Sequence, residues 1–215
     1  MEQKYADIIK LGTSALSDAM DRLGIPGQAL GIKPVDRSFL VCGPAFTVHN
    51  MPCDIHGGSV GDYIDDVAEG QVICIDNAGR LDATVWGDIL TIMGALHNIG
   101  GTVINGVCRD SNRAMEVGYP IFSRGTYMRT GKDRVMADAY NTKVSLGEVA
   151  VVPGDIIAGD FDGIVVIPQE RLDEVVKAAI EIEDAEDAIR NSIRQGMSLL
   201  DARTQFNYHA LQSRR

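Results

Sequence analysis

The chain has 215 residues, of which 45% are apolar, and this is enough for one well-buried globular domain. Its formal net charge of −10 and the lack of any Lys/Arg cluster argue against a nucleic-acid groove, which needs a basic face. No apolar stretch approaches membrane-spanning length, and the opening segment MEQKYADIIK has no apolar core of a signal peptide, so we expect a cytoplasmic protein that binds neither nucleic acid nor membrane.

The first half of the chain predicts a helix followed by strand-forming sequence. Residues 13–24 carry apolar residues at helical spacing, with Thr13 as the expected N-cap and Gly24 as the expected C-terminal stop. Residues 39–50 are rich in strand formers and contain Gly43–Pro44, which predicts one strand or two.

A βαβ unit is predicted next. The run QVICID (71–76) is a buried-strand pattern, residues 87–101 switch to helical period, and TVINGVC (102–108) returns to strand. The apolar residues expected to share one face of the helix are Ile89, Ile92, Met93, Leu96 and Ile99, and Gly100 is expected to end it.

The second half of the chain predicts a short helix, several strands and a long terminal helix. Residues 111–118 look helical, and YPIFSRG (119–125) leads into a strand. Residues 148–168 contain three apolar runs separated by tight-turn residues, which predicts a β meander. A long helix is expected over 169–194, with an acidic, solvated face and a break at Gly196. We expect one domain over residues 1–215.

Three ends of the βαβ unit meet at one rim, where α/β proteins commonly bind ligands. The residues expected there are Asp76, Asp88, Arg109 and Asp110. The backbone amides of Ile89 and Leu90 at the helix start suit an anion, and the planar guanidinium of Arg109 matches a carboxylate.

Asp110, with Asp88 nearby, suits a hard divalent cation that keeps several waters. A cation beside an anion site fits a small oxo acid that chelates through its keto and carboxylate oxygens. The structural alternatives are a surface Arg109–Asp110 ion pair without function and Asp88 as a helix-start residue that favours the helix dipole.

The cysteines and histidines do not suggest a different site. The cysteines contain no CxxC pair and are expected to be free thiols, buried in the case of Cys74 and Cys108: Cys42, Cys53, Cys74 and Cys108. The histidines lack the spacing of a zinc site: His49, His56, His97 and His209.

At this point the sequence resembles a known family. Asp88, twenty intervening residues and Arg109–Asp110 resemble the D-x20-R-D signature of the RraA-like family. The segments LSDAMDRLG, GPAFTV, NGVCRDSNRAMEVGYPIFSRG and VPGDIIAGDFDGIVVIP are similar to the helix, early strand, core signature and late hairpin of that family. Together these segments cover most of residues 13–168.

The resemblance implies a swivelling β/β/α fold assembled as trimers or hexamers, with a core over 13–168 and a helical extension over 169–215. It assigns the substrate carboxylate to Arg109, direct metal binding to Asp110, and binding through metal waters to Asp88. The backbone expected to hold the substrate is Gly87, Asp88, Ile89 and Leu90. The expected cofactor is Mg²⁺, with Mn²⁺ or Co²⁺ as alternatives.

The function implied by the resemblance is a metal-dependent lyase. It cleaves a 4-hydroxy-2-oxo acid of the 4-hydroxy-4-methyl-2-oxoglutarate type to pyruvate and decarboxylates oxaloacetate through the same enolate. The alternative within the family is a non-catalytic regulator of the ribonuclease E type. A methyltransferase, an older label in the family, is not supported, because the glycine-rich turn of a nucleotide-type cofactor site is missing and residues 125–133 are expected to be a loop.

Some features leave open questions. Family aldolases carry a G-D-N-L type segment where this chain has MPCDIHGGSVGDYIDD (51–66), so this loop is expected to shape the far side of the pocket. A carboxylate from a neighbouring subunit is a further candidate for the metal waters: Glu181, Glu183 or Glu186. The base that takes the hydroxyl proton is open, with a metal-linked or rim-held water preferred over His49 or His56. The role of residues 196–215 is open as well.

Overall fold

The computed structural model describes residues 3–54 and 57–208. The strands are β1 (Gln28–Ala29), β2 (Lys33–Pro34), β3 (Val41–Pro52), β4 (Val72–Thr84), β5 (Gly101–Val107), β6 (Ile121–Ser123), β7 (Val135–Tyr140), β8 (Val144–Leu146), β9 (Val149–Val151), β10 (Ile156–Asp160) and β11 (Gly163–Ile167). The helices are α1 (Gln3–Lys10), α2 (Gly12–Leu23), α3 (Asp88–Leu96), α4 (Ser111–Val117), α5 (Leu172–Arg194) and α6 (Leu199–Gln205). Short 3₁₀ turns lie at Asp62–Asp66 and Gln169–Arg171.

The main sheet has the order β1-β11-β10-β3-β4-β5-β6-β2, and β7 pairs with the outer part of β3. Strands β3, β4, β5 and β6 are parallel, whereas β10, β11 and β1 continue the sheet antiparallel. The predicted βαβ unit is therefore confirmed as β4, α3 and β5. The chain has the expected mixed α/β architecture with a long helix near its C-terminal end.

Strand β3 is continuous through Gly43–Pro44, so the turn residues do not split it. It exchanges neighbours at this point: residues 41–44 pair with β10, and residues from Ala45 onward pair with β4. The Ala45 amide donates to the Asp155 carbonyl at 2.8 Å, so backbone pairing resumes one residue after the proline that lacks an N–H.

Two apolar cores hold the helices against the sheet. The larger core contains parallel-strand side chains such as Ile73, Ile75 and Ile104, each fully buried. The smaller core packs α2 and α5 against the antiparallel strands through residues such as Met20 and Ile182. Burial of each such side chain stabilises the fold by about 1.5–3 kcal/mol. Because the buried face of α5 supplies this packing, its outer face can be acidic and solvated.

The structure corrects several expectations. Strand β4 continues to Thr84 with register shifts after Asp76, instead of ending at residue 76. The predicted meander is wrong in part, because β9 pairs back with β8 in a separate ladder and only β10 and β11 form a hairpin in the main sheet. The expected cap at Thr13 is also wrong, since α2 begins at Gly12.

The apolar residues predicted to share one face of α3 are not equally buried. The buried residues of α3 are Thr91 and Gly94, whereas Ile89 is 73% exposed and Leu96 is 71% exposed. Ile89, Ile92 and Leu96 therefore form an outward stripe on this helix, whereas Met93 packs against the larger core and Ile99 is buried just beyond the helix. Across residues 3–54 and 57–208, the structure contains no helix with the length and apolarity needed to cross a bilayer.

Candidate functional site

A cleft of about 520 Å³ lies where strand β4 passes into helix α3. One wall is the start of α3, a second is the loop and 3₁₀ turn over residues 59–65, and Arg109 stands after β5. The cleft is lined by Ser59, Val60, Gly61, Asp62, Ile64, Asp65, Thr84, Val85, Trp86, Gly87, Asp88, Ile89, Leu90, Met93, Arg109, Thr130 and Gly131.

Arg109 lines this cleft, and Asp110 lies beside Arg109 on the side of a second, smaller cavity. The Arg109 Nε atom is 3.4 Å from Asp110 Oδ2, and the two side chains are 39% and 41% exposed. Within the described residues, the terminal nitrogens of Arg109 make no hydrogen bond, so they are available to a ligand carboxylate. A smaller cavity of about 300 Å³ borders the same pair on the side of residues 126–128.

Asp110 also contacts the start of α3. Its Oδ2 atom accepts a hydrogen bond from the Asp88 amide at 3.3 Å. Gly87 permits this approach, because a Cβ atom there would lie 3.0 Å from Asp110 Oδ2 and 3.3 Å from Arg109 Nε. The three residues predicted from the βαβ unit, Asp88, Arg109 and Asp110, are thus brought together.

The backbone before α3 is held by a buried network. The Trp86 indole donates to Thr91 Oγ1 at 2.9 Å, and that hydroxyl donates to the Gly87 carbonyl at 2.9 Å. Trp86 is 2% exposed and stacks on Tyr119 at 5.9 Å between ring centroids. Its carbonyl accepts the Arg109 amide at 3.0 Å, which ties the end of β5 to the start of α3.

The two backbone amides expected to bind an anion, those of Ile89 and Leu90, differ in whether they already donate a hydrogen bond. The Ile89 amide already donates to Asp88 Oδ1 at 2.9 Å, so an anion there has to displace that carboxylate. The Leu90 amide has no hydrogen-bond partner among the described residues, which leaves it open toward the cleft that Leu90 lines. A ligand at the helix start therefore meets Leu90 N first.

Asp76 is not part of the rim, contrary to expectation. Its Oδ1 accepts bonds from the Ala78 amide and Asn105 Nδ2, and its Oδ2 accepts the Ser145 amide at 3.0 Å. Because β4 extends eight residues beyond it, Asp76 lies inside the strand and holds the β8–β9 ladder.

Sequence reasoning missed the individual charged residues of the loop wall. Asp62 and Asp65 line the cleft, and Gly61 packs so closely on Leu90 that a Cβ atom would lie 2.7 Å from Leu90 Cδ2. The departure from the family pattern at residues 51–66 was the signal that this wall would differ. The loop lines the cleft opposite Arg109, as expected. The sequence did not indicate which of its side chains face inward.

Other candidate residues lie elsewhere. His49 Nδ1 is 2.6 Å from Asp138 Oδ1, and this pair lines neither cavity beside Arg109. His56 lies outside the described residues. On α5, Glu181 pairs with Arg22, while Glu183 and Glu186 pair with Arg190, so within this chain all three carboxylates are engaged on the helix surface.

The cysteines are free thiols, as predicted. Burial raises the pKa of Cys42 to about 12, and burial also raises the pKa of Cys74 and Cys108. Cys108 precedes Arg109 in sequence, but its side chain is fully buried. Thiolate chemistry at the cleft is therefore disfavoured, since the thiolate is the reactive form.

Comparison with known proteins identifies the family. The RraA-like family, described as Aldolase/RraA, matches residues 13–166. The chain belongs to the RraA-like family. The match contains all three residues of the Asp88, Arg109 and Asp110 set, and it confirms the recognition made from the signature.

Particular relatives agree with this membership. The chain is 40% identical over 211 residues to Protein DlpA of Legionella pneumophila, which covers 97% of this chain and 34% of that protein, so the chain spans about a third of that relative. It is 31% identical over 206 residues to a protein of Halalkalibacterium halodurans named "Putative 4-hydroxy-4-methyl-2-oxoglutarate aldolase", covering 94% and 96% of the two chains. The crystal structure of an uncharacterized protein from Pseudomonas syringae pv. tomato superposes with a TM-score of 0.86 at 39% identity, covering 94% and 98% of the two chains.

Proposed function

We propose that this RraA-like protein is a divalent-metal-dependent lyase that cleaves a 4-hydroxy-2-oxo acid by a retro-aldol reaction and releases pyruvate. The observation that carries this proposal is the contact of the Arg109 guanidinium with the Asp110 carboxylate, which also accepts the Asp88 amide, beside a cleft that Arg109 and Asp88 line. The aldolase name of the Halalkalibacterium relative supports the same reaction class.

The donor set fits a hydrated divalent cation. Within residues 3–54 and 57–208, no three His, Cys, Asp or Glu side chains form a metal-binding group, which argues against a closed protein cage. Mg²⁺ keeps several waters and is commonly bound by one or two carboxylates, so Asp110 would bind directly and Asp88 through water. When bound, the cation supplies polarisation of the substrate keto oxygen; Mn²⁺ and Co²⁺ are alternatives.

The residues of the chain orient the substrate. The free edge of Arg109 binds the carboxylate next to the keto group through paired hydrogen bonds, and the Leu90 amide offers a further donor. The rest of the substrate would occupy the cleft, whose opposite wall is formed by residues 59–65.

The reaction conserves atoms and electrons. A water held at the rim takes the proton of the C4 hydroxyl, the C4 oxygen forms a carbonyl, and the C3–C4 bond breaks. Its electron pair forms the enolate of pyruvate, and protonation of C3 gives pyruvate. Oxaloacetate follows the same course with carbon dioxide as the leaving fragment, so we expect both activities together.

We also propose that residues 1–215 form one RraA-like domain that assembles as a homotrimer or hexamer. The exposed stripe of Ile89, Ile92 and Leu96 supports assembly, because apolar side chains in a row on one helix favour a protein contact. Light scattering on the purified protein, compared with the chain mass of 23.2 kDa, tests this.

Pyruvate release tests the proposed reaction. The aldol adduct of two pyruvates, which is 4-hydroxy-4-methyl-2-oxoglutarate, and oxaloacetate are supplied with Mg²⁺ or Mn²⁺ and then with excess chelator. We expect metal-dependent release, and a loss of roughly hundredfold or more in kcat/KM for both Arg109→Ala and Asp110→Ala. The first removes the hydrogen bonds to the substrate carboxylate, and the second removes the direct ligand of the cation.

Matched controls separate the site from surface charge. Arg113→Ala removes an exposed arginine of α4, and Asp66→Ala removes an exposed carboxylate outside the cleft. Both are expected to keep activity within a factor of about two. Failure of a folded, metal-loaded protein to release pyruvate from any 4-hydroxy-2-oxo acid or oxaloacetate would contradict the proposal and favour a non-catalytic regulator.

A further inference from the structure

Thr91 lies beneath the start of α3 and does not line the cleft. The side chain is fully buried, and its hydroxyl lies 2.9 Å from Trp86 Nε1 and 2.9 Å from the Gly87 carbonyl oxygen. An indole nitrogen can only donate a hydrogen bond, so the hydroxyl accepts from Trp86 and directs its own hydrogen at Gly87. The direction of the Thr91 hydroxyl is therefore fixed by the chemistry of its two partners.

The Gly87 carbonyl accepts two hydrogen bonds from this one residue. Besides the hydroxyl, it accepts the Thr91 amide at 3.1 Å, which is the first backbone bond of the helix. The amide bond alone would satisfy the carbonyl, so the hydroxyl is not needed to pair it. The second bond instead restrains the direction of the carbonyl and ties it to Trp86.

The direction of this carbonyl decides where the next amide points. The Gly87 C=O and the Asp88 N–H belong to the same planar trans peptide, so they point in opposite directions. The Asp88 N–H donates to Asp110 Oδ2 at 3.3 Å. A bond to Thr91 on one side of the peptide therefore aims a donor at Asp110 on the other side.

This donor makes the two oxygens of Asp110 unequal. Oδ2 accepts the Asp88 amide and lies 3.4 Å from Arg109 Nε, whereas no described residue donates a hydrogen bond to Oδ1. A carboxylate that is held through one oxygen leaves the other for a ligand. Oδ1 is thus the oxygen of Asp110 that remains for a cation.

We infer that Thr91 is a positioning residue for the proposed metal site, and that it acts through the Gly87–Asp88 peptide to leave Asp110 Oδ1 free for the cation. Trp86 belongs to the same arrangement, because its indole donates to Thr91 and its carbonyl accepts the Arg109 amide at 3.0 Å. The inference rests on the proposed function, in which Asp110 is the direct ligand of a divalent cation.

Binding of Mn²⁺ tests the inference without any substrate. The dissociation constant is measured by calorimetry or by the loss of the free-ion signal in electron paramagnetic resonance. Thr91→Val keeps the size of the side chain and removes the hydroxyl, and we expect the dissociation constant to rise about tenfold, as it does when groups that orient metal ligands are lost. Thr91→Ser keeps the hydroxyl and is expected to stay within about twofold of the unmodified protein. Pyruvate release by Thr91→Val is expected to recover as Mn²⁺ is raised.

Thr102→Val is the matched control. Thr102 is also fully buried, and its hydroxyl lies 2.8 Å from the hydroxyl of Tyr119, whose ring stacks on Trp86. Like Thr91→Val, this variant leaves a polar atom of a buried aromatic residue unpaired, so it reproduces the loss of stability. We expect its Mn²⁺ affinity to stay within about twofold of the unmodified protein.

Trp86→Phe approaches the same hydrogen bond from its other end. It keeps an aromatic ring at the stacking position and removes the N–H, so the Thr91 hydroxyl is no longer fixed in direction. We expect Mn²⁺ affinity to fall, as in Thr91→Val. This variant decides the question if Thr91→Val does not fold, which circular dichroism shows.

The outcomes separate this inference from the lyase proposal. Mn²⁺ affinities that are the same in Thr91→Val, Trp86→Phe and Thr102→Val overturn the inference, and so does a Thr91→Ser variant that binds as weakly as Thr91→Val. The lyase proposal survives either result if Asp110→Ala still abolishes binding. Binding of Mn²⁺ by Asp110→Ala as tightly as by the unmodified protein contradicts the metal site itself, and with it both proposals.

Discussion

At the scale of single residues, the orientation of the Arg109–Asp110 pair is built into the backbone. Asp110 has φ of 56°, in the left-handed region that aspartate tolerates better than most residues. The Arg109 amide bonds to Trp86, and the Asp110 carbonyl accepts the Arg113 amide at 3.0 Å. These bonds fix the backbone on both sides of the left-handed residue, so the two side chains face the start of α3 together.

The close approach at Gly87 gives a first prediction. In Gly87→Ala, the new Cβ atom would lie 3.0 Å from Asp110 Oδ2, so the carboxylate has to move away from the Asp88 amide. We expect kcat/KM for pyruvate release to fall by about threefold to tenfold, because the carboxylate has to give by a few tenths of an ångström, and a displacement of about 1 Å costs about hundredfold in active sites. The melting temperature should change little, since the backbone at Gly87 is extended and accessible to alanine. Unchanged kinetics in the folded variant would contradict the role given to this contact.

Much of the residue-level site follows from sequence, and part of it does not. Asp88, Arg109 and Asp110 are predictable because they follow or precede the regular elements of one βαβ unit. Asp62 and Asp65 are not, because their direction depends on a 3₁₀ turn and a tyrosine packed against β3. The sequence wrongly predicts Asp76 at the rim, because β4 continues past Asp76 with register shifts that leave no periodic pattern in the sequence.

At the scale of elements, the buried face of a helix agrees with its sequence pattern where the apolar side chains pack against another element of the same chain. Helices α2 and α5 pack against the sheet as their patterns indicate. Helix α3 keeps its outward stripe exposed, so the same kind of pattern there identified the helix but not its buried face. Strand β7, with its mixed polar sequence, gives no alternation and was missed.

The start of α2 gives a stability prediction. Asp160 Oδ2 accepts the Thr13 amide at 2.8 Å, and Oδ1 accepts both the Thr13 hydroxyl at 2.6 Å and the Asp162 amide at 2.8 Å. Asp160→Ala removes a helix cap supplied from the β10–β11 hairpin, and we expect the free energy of unfolding to fall by about 2 kcal/mol.

Urea unfolding followed by circular dichroism measures this change. Asp160→Asn, which keeps one acceptor, is expected to lose less than Asp160→Ala, and Thr13→Ser is expected to stay near the unmodified protein. Equal stability of Asp160→Ala and the unmodified protein would show that the cap does not contribute. Activity is expected to persist in all three variants, because this contact lies outside the cleft.

At the scale of the whole molecule, the proposed site lies next to the surface proposed for assembly. The exposed stripe of α3 begins at Ile89, which also lines the cleft. An assembly that covers this stripe would bring a neighbouring chain to the cleft mouth. The cleft geometry itself comes from one chain, through the tie between β5 and the start of α3.

The central claim is that this site stabilises the enolate of pyruvate. The most direct measurement is exchange of the pyruvate methyl protons in heavy water, followed by NMR, since it needs only the product common to every proposed substrate. The account predicts exchange that requires Mg²⁺ or Mn²⁺, stops with chelator, and is lost in Arg109→Ala and Asp110→Ala but kept in Arg113→Ala. Absence of exchange in the folded, metal-loaded protein, or equal exchange in the Arg109 and Asp110 variants, would contradict it.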